Sequence, residues 1–258
     1  MSSIDSDSDR PVDWLLAHRG WPGRYPENSR AGVAAVIEAG ARRVEFDVQL
    51  SADRQPVVIH DDHLGRVSGR RGRVGSLSLA ELEKTSIGEP ERFGDRFAGE
   101  CLPSLESMLE LTSRTPKVQL FVELKRASLR RFGREAMVEP LLGALSRVPN
   151  PVVVISFDRR VLEMVRSRSG LPIGWVFKPW NESAQVEAGR LQPEYLFVRQ
   201  DRVPAGPAPF WPGDWQWVVY GVETAATARE FRQRGTDVIE TDYLPELATA
   251  ISGEDKGS

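Results

Sequence analysis

Three carboxylates, two imidazoles and two cations stand where apolar runs of this 258-residue chain end. Glu45 and Asp47 are two apart in "VEFDVQL", so on an extended backbone both point to one face. Glu123 lies near the end of "VQLFVEL", and Lys125 stands two residues on, facing the same way. Acids inside apolar runs are costly to bury unless a cation offsets their charge. Three of them at the ends of neighbouring strands form an oxygen-rich set suited to Mg²⁺, Ca²⁺ or Mn²⁺, and less to Zn²⁺. An ion-pair network with Lys125, Arg19 and Arg43 is the competing use of the same residues. All three histidines fall within residues 18–63. His18 ends the first apolar run and His60 the run "PVVIH", so the two can converge as general acid and general base. His63 follows in the loop and reads as a bystander. Arg19 and Lys125 supply the positive charge that clamps a phosphoryl group. The chemistry implied is metal-dependent phosphoryl or related transfer, with no substrate named.

Elements must hold these residues together. Eight β-rich runs recur: Trp14–Ala17, Val44–Val48, Val118–Leu124, Val152–Phe157, Ile173–Phe177, Tyr195–Arg199, Trp217–Tyr220 and Val238–Thr241. Segments of helical period lie between most of them, among them Arg30–Ala39, Ser104–Thr112, Glu135–Arg147, Arg159–Arg168, Ala184–Arg190 and Ala225–Arg234. Strands alternating with helices imply right-handed crossovers and a parallel sheet. Eight such units in this length predict an α/β fold closed as a TIM (β/α)8 barrel, spanning residues 12–252 as a single domain. The stretch "VPAGPAPFWPGD" holds too many prolines for a crossover helix. Between "VEFDVQL" and "PVVIHD" only "SADRQ" intervenes, too short for a crossover, which predicts an antiparallel hairpin. Its register, with paired positions summing to about 107, sets Asp47 roughly opposite His60. Residues 62–100 are charged, Gly-rich and weakly periodic, and read as an inserted cap after the second strand.

The net charge of -3 excludes a protein that lives by phosphate-backbone contacts, so no nucleic-acid partner is expected. The single cysteine, Cys101, rules out internal disulfides and multi-thiolate metal sites. No apolar run approaches the ~18 residues of a membrane span, and the opening "MSSIDSDSDRPVDW" is acidic where a signal peptide is basic. A cytoplasmic protein with no stable membrane association is the expectation, with flexible tails at 1–11 and 253–258.

The ordered series "AHRG", "PEN", "EFDV", "VVIHDDHLGR", "LPSLESML" and "VELK", with a late "GTDVIETDYL", closely resembles the glycerophosphodiester phosphodiesterases. The resemblance implies hydrolysis of a glycerophosphodiester, the small-molecule substrate, to sn-glycerol 3-phosphate and an alcohol. By motif, His18 and His60 become the acid/base pair, Glu45, Asp47 and Glu123 hold the divalent metal, and Arg19 and Lys125 meet the phosphate. Glu27 and Asn28 match positions that support the site. The resemblance also carries a cyclic phosphate intermediate formed by a glycerol hydroxyl. The chain departs from the family pattern at Tyr220, Glu223 and Glu240. These are expected on the far side of the barrel from the metal motifs, as a substrate rim where an added carboxylate favours a cationic head group. Glu223 also suits the N-terminal end of a helix. Two other activities remain open: a phospholipase D-like enzyme acting on lysophospholipids or sphingolipids, and a non-catalytic barrel that binds a phosphorylated metabolite. The insertion offers mainly Phe93 and Phe97 amid charges, which favours soluble diesters.

Overall fold

The structure, a computed structural model, describes residues 11–254. Nine strands are present: β1 (Leu15–Ala17), β2 (Arg43–Leu50), β3 (Pro56–Val58), β4 (Gln119–Leu124), β5 (Val152–Ser156), β6 (Ile173–Phe177), β7 (Tyr195–Arg199), β8 (Gln216–Tyr220) and β9 (Val238–Thr241). All but β3 are parallel neighbours in the order β1-β9-β8-β7-β6-β5-β4-β2, and β1 also pairs with β2, closing a TIM barrel. Closure matters for function because it sets the last strand against the first, with Leu15, Leu16 and Ala17 opposite Ile239, Glu240 and Thr241.

Alternation along each strand divides the side chains into two sets. Outward residues such as Val44, Phe46, Val122 and Val154 pack beneath the helices in the larger core. Inward residues such as Leu16, Phe121, Val153, Phe197 and Val218 fill the barrel. Gly174 makes room inside, since a Cβ there would lie 2.7 Å from Ile155 and 2.9 Å from Phe197. The inward positions above this plug, at the C-terminal strand ends, are the polar ones.

The outer helices are α1 (Arg30–Glu38), α5 (Leu105–Ser113), α6 (Arg126–Phe132), α7 (Arg134–Leu145), α8 (Arg159–Ser169), α9 (Glu182–Leu191), α10 (Ala225–Gln233) and α11 (Leu244–Glu254), numbered so as to count three short helices of the insertion. Several start at N-caps, with Ser29, Ser104, Asp158, Asn181 and Thr224 each accepting a backbone N–H. No helix fills the proline-rich segment before β8, as its composition requires.

The insertion carries α2 (Gly65–Ser68), α3 (Leu79–Leu82) and α4 (Pro90–Phe93) over a small core of its own that includes Ile59, Leu64, Val67, Leu82 and Leu102. Its aromatics face the barrel: Phe97 packs 5.4 Å from Tyr25 and 5.2 Å from Phe93.

The hairpin falls within one residue of the expected register: Val48 pairs with Val58, and the Ile59 N–H donates to the Asp47 carbonyl, so Ile59, next to His60, lies opposite Asp47. A loop in which Arg54 adopts a left-handed φ of 59° and the Ser51 N–H donates to the Gln55 carbonyl sets this count. Residues 1–10 and 255–258 of the expected tails lie outside the described residues, but Pro11 belongs to a 3-10 turn and Gly253 and Glu254 to α11.

Candidate active site

The site begins with the turn after β1. The His18 N–H donates to the Thr241 carbonyl at 3.1 Å, continuing the β1–β9 seam. Arg19 then adopts φ 52° and Gly20 φ 84°. A side chain on Gly20 would meet the backbone of Gly32 and Val33 at 2.9 Å, so only glycine passes between the turn and α1. The left-handed Arg19 aims its own N–H at Glu45 Oε2, 3.0 Å away. Asn28, at φ 57°, clasps Asp47 from both sides: its Nδ2 donates to Asp47 Oδ2 at 2.9 Å and its Oδ1 accepts from the Asp47 N–H at 3.1 Å. Glu27 accepts from Arg19 and from both terminal nitrogens of Arg66, which thereby ties the insertion to the first loop.

Glu45, Asp47 and Glu123 converge, each offering an oxygen within 4.8 Å of the others. Lys125 Nζ lies 3.0 Å from Asp47 and 2.9 Å from Glu123, and Arg19 Nε lies 3.0 Å from Asp47. Burial favours the neutral form of Asp47, but the charges of Lys125 and Arg19 outweigh it and hold the acid well below the usual carboxylate range. Glu45 goes the other way: burial, then the charges of Asp47, Glu240 and Glu123, push it well above its ordinary value. Its Oε1 is buried with no hydrogen-bond partner. Three converging acids, one orphaned buried oxygen and two cations already engaged leave an excess of negative charge. Hard oxygen donors in that state fit a divalent cation.

Each histidine is oriented by an aspartate. His18 Nδ1 donates to Asp242 Oδ1 at 2.7 Å, and His60 Nδ1 donates to Asp61 Oδ1 at 2.6 Å. A carboxylate only accepts, so this fixes the protonated Nδ1 and leaves Nε2 to exchange protons. The two rings are pushed in opposite directions. Burial and Arg19 disfavour the charged form of His18, yet Glu240 and Asp242 bring it above its ordinary value. Burial, with Lys125 and Arg19, takes His60 below it despite Asp47.

His18, Arg19, His60, Glu123 and Lys125 share a pocket of about 160 Å³ whose other wall includes Phe157, Phe197, Tyr220 and Glu240. Burial and the charge of Glu240 push the Tyr220 phenol up to about 12. Glu223 is not in that lining; it is exposed, one residue before the N-cap Thr224 of α10. Glu240 is not on the far side of the barrel from the metal motifs. Closure of β9 on β1 brings one of its oxygens within 4.8 Å of ligating atoms of both His18 and Glu45. His63 pairs with Asp62 on the exposed loop, away from the pocket. Sequence reasoning misses Asp242, Asp61 and Arg66. A signal for Asp242 does exist: in a closed barrel the last strand must flank the first, so "ETD" necessarily meets "AHR".

A sequence profile of the glycerophosphoryl diester phosphodiesterase family matches residues 18–246. Among curated relatives, the protein YhdW of Bacillus subtilis (strain 168) is 33% identical over 243 residues, covering 89% of this chain and 94% of that one. A glycerophosphodiester phosphodiesterase of Caldanaerobacter subterraneus is 32% identical over 192 residues, covering 71% of this chain and 76% of that one. The fold is shared with a phosphodiesterase of Oleispira antarctica solved with the product sn-glycerol-3-phosphate, at a TM-score of 0.82, 24% identity, and coverage of 93% and 96% of the two chains.

Proposed function

The chain belongs to the glycerophosphoryl diester phosphodiesterase family, and from that premise we propose that it cleaves glycerophosphodiesters to sn-glycerol 3-phosphate and an alcohol by metal-assisted acid/base catalysis. The observation that carries the mechanism is the convergence of two aspartate-oriented histidines and Glu123 on one pocket, with Glu45 and Asp47 gathered against Glu123.

Glu45, Asp47 and Glu123 would hold the divalent ion, Mg²⁺ or Ca²⁺ or else Mn²⁺. When bound it supplies Lewis-acid polarisation of the phosphoryl oxygens. Lys125, anchored between Asp47 and Glu123, presents its remaining donors to the phosphate, and Arg19 adds positive charge from the same side. The opposite shifts of His18 and His60 suit one imidazole to take the proton of the nucleophile and the other to protonate the leaving alkoxide. Phe157 and Phe197 give the pocket an apolar wall beside the reacting group.

A lipid-directed reading is less well supported. Among the described residues the exposed large hydrophobic side chains are Val186 and Tyr243, and no helix is long and apolar enough to cross a membrane. Phe93 and Phe97 are half-buried against one another and Tyr25, so the cap offers no apolar face for acyl chains.

The test is release of glycerol 3-phosphate from glycerophosphocholine and a panel of other head groups, with and without EDTA. Chelator-sensitive release is expected, and His18→Ala and His60→Ala should each lower kcat by about 10²–10⁴-fold with little change in Tm. Release of none of the head groups, or variants that keep near-normal rates, would overturn the reading.

A further inference from the structure

Glu240 is the one pocket acid that neither the metal-binding set nor the acid/base pair uses. It is 4% exposed, and its Oε1 is buried without a hydrogen-bond partner. Its strand neighbours in register are Leu16 and Tyr220, and neither supplies a donor to it. An unpaired buried carboxylate is expensive, which pushes Glu240 up to about 7, and a hydrogen-bond donor brought by a ligand recovers that cost. Arg19, a cation of the same pocket, is already committed to Asp47 and Glu27, and the Nδ1–H of His18 to Asp242.

We propose that Glu240 accepts a hydrogen bond from a hydroxyl of the glyceryl moiety and so selects glyceryl diesters over diesters of simple alcohols. This deepens, and rests on, the phosphodiesterase reading of the same pocket. The pocket's geometry separates this from recognition of a quaternary ammonium. Such a head group has no N–H to satisfy the orphaned oxygen, whereas a glyceryl hydroxyl brings an O–H donor. A polyol also matches the pocket of about 160 Å³, where Glu240 shares the lining with Glu123 and with the apolar Ile155, Val176 and Phe197. Carbon atoms would face the apolar wall while the hydroxyl reaches Glu240. Glu240 acts here as a specificity residue, with no covalent role.

Two ligands differing only in hydroxyls test this: sn-glycerol 3-phosphate and n-propyl phosphate. Binding is measured by calorimetry with Mg²⁺ present on the intact chain, on Glu240→Leu and on Glu240→Gln. The wild type is expected to prefer glycerol 3-phosphate by about 10–100-fold, the range set by one hydrogen bond to a charged acceptor. Glu240→Leu should bring the ratio close to one by weakening glycerol 3-phosphate alone, and Glu240→Gln, which keeps an acceptor, should retain part of it. In turnover of glycerophosphocholine the loss should fall on KM more than on kcat. A wild-type ratio near one, or a Leu variant with the wild-type ratio, overturns the assignment. So does a wild type that binds two divalent ions per chain where Glu240→Leu binds one, since Glu240 would then be a cation ligand with His18 and Glu45. Should no glycerophosphodiester be turned over while the binding ratio holds, the catalytic reading fails and the hydroxyl site stands.

Discussion

At the level of single residues, the placement of His18, the proposed proton carrier, depends largely on groups outside its own side chain. Its backbone is fixed by the β1–β9 seam, its Nδ1 proton is held by Asp242, and the left-handed turn that follows sends the next N–H to Glu45. Asp242→Asn removes the charge and, with the amide nitrogen turned inward, the acceptor as well. We expect kcat to fall by up to about 10²–10⁴-fold, the range ascribed to one general acid or base, while Tm changes little. The His18 limb of the kcat/KM profile should move to lower pH. Burial and Arg19 already favour the neutral ring, and the raising influence of Asp242 would be gone. An unchanged profile would show that Asp242 does not orient the proton-carrying ring. His18, Glu45, Asp47, His60, Glu123 and Lys125 are legible in the sequence because acids and imidazoles at the ends of apolar runs have few bland uses. Their partners are not. Asp242 looks like an ordinary acid after a strand, and only closure of the barrel gives it a neighbour 224 positions away.

At the level of elements, helix punctuation is both legible and testable. Asp158 caps α8 by accepting from the Val161 N–H at 3.0 Å, and Arg134 grips both of its oxygens at 2.9 and 2.6 Å. Burial would raise this carboxyl, but the Arg134 hydrogen bonds and the helix N–H groups hold it below its ordinary value. Asp158→Ala should cost about 1–2 kcal/mol at neutral pH, measured by urea unfolding. A depressed carboxylate contributes stability above its unfolded-state pKa of about 4 and loses it on acidification, so the gap between variant and wild type should close toward pH 3. A gap that stayed constant would mean that the charge does nothing. The same punctuation explains why the eight barrel strands and most of their helices can be read from the chain alone. The helix α6 cannot, because "KRASLRRF" carries little apolar period, and it is held by the buried Ser128 and Leu129. The final residue of register in the β2–β3 hairpin is equally hidden, because turn type, set by the left-handed Arg54, is not written in composition.

For the whole molecule, the balance of charge at the barrel mouth governs both stability and ligand uptake. Glu45, Asp47, Glu123 and Glu240 stand together against Arg19 and Lys125. A cation that binds only the folded chain stabilises it by about 2.7 kcal/mol at 100 times its Kd, which for a chain of this size is about 5–10 °C in Tm. Calcium or magnesium is therefore expected to raise Tm by that amount, and Glu45→Gln with Glu123→Gln should abolish the rise. A double variant that keeps the full shift would place the ion elsewhere. The seam between β1 and β9 has one more consequence, for synthesis. His18, Glu45, His60 and Glu123 leave the ribosome long before Glu240 and Asp242, and chains emerge N-terminus first. A nascent chain thus holds both imidazoles and the proposed metal-binding acids Glu45, Asp47 and Glu123 while the partner that sets His18 is still untranslated. The barrel closes only when β9 pairs with β1, so a chain that stops before β9 lacks that seam and is expected to be inactive, which an assay of the truncated product checks.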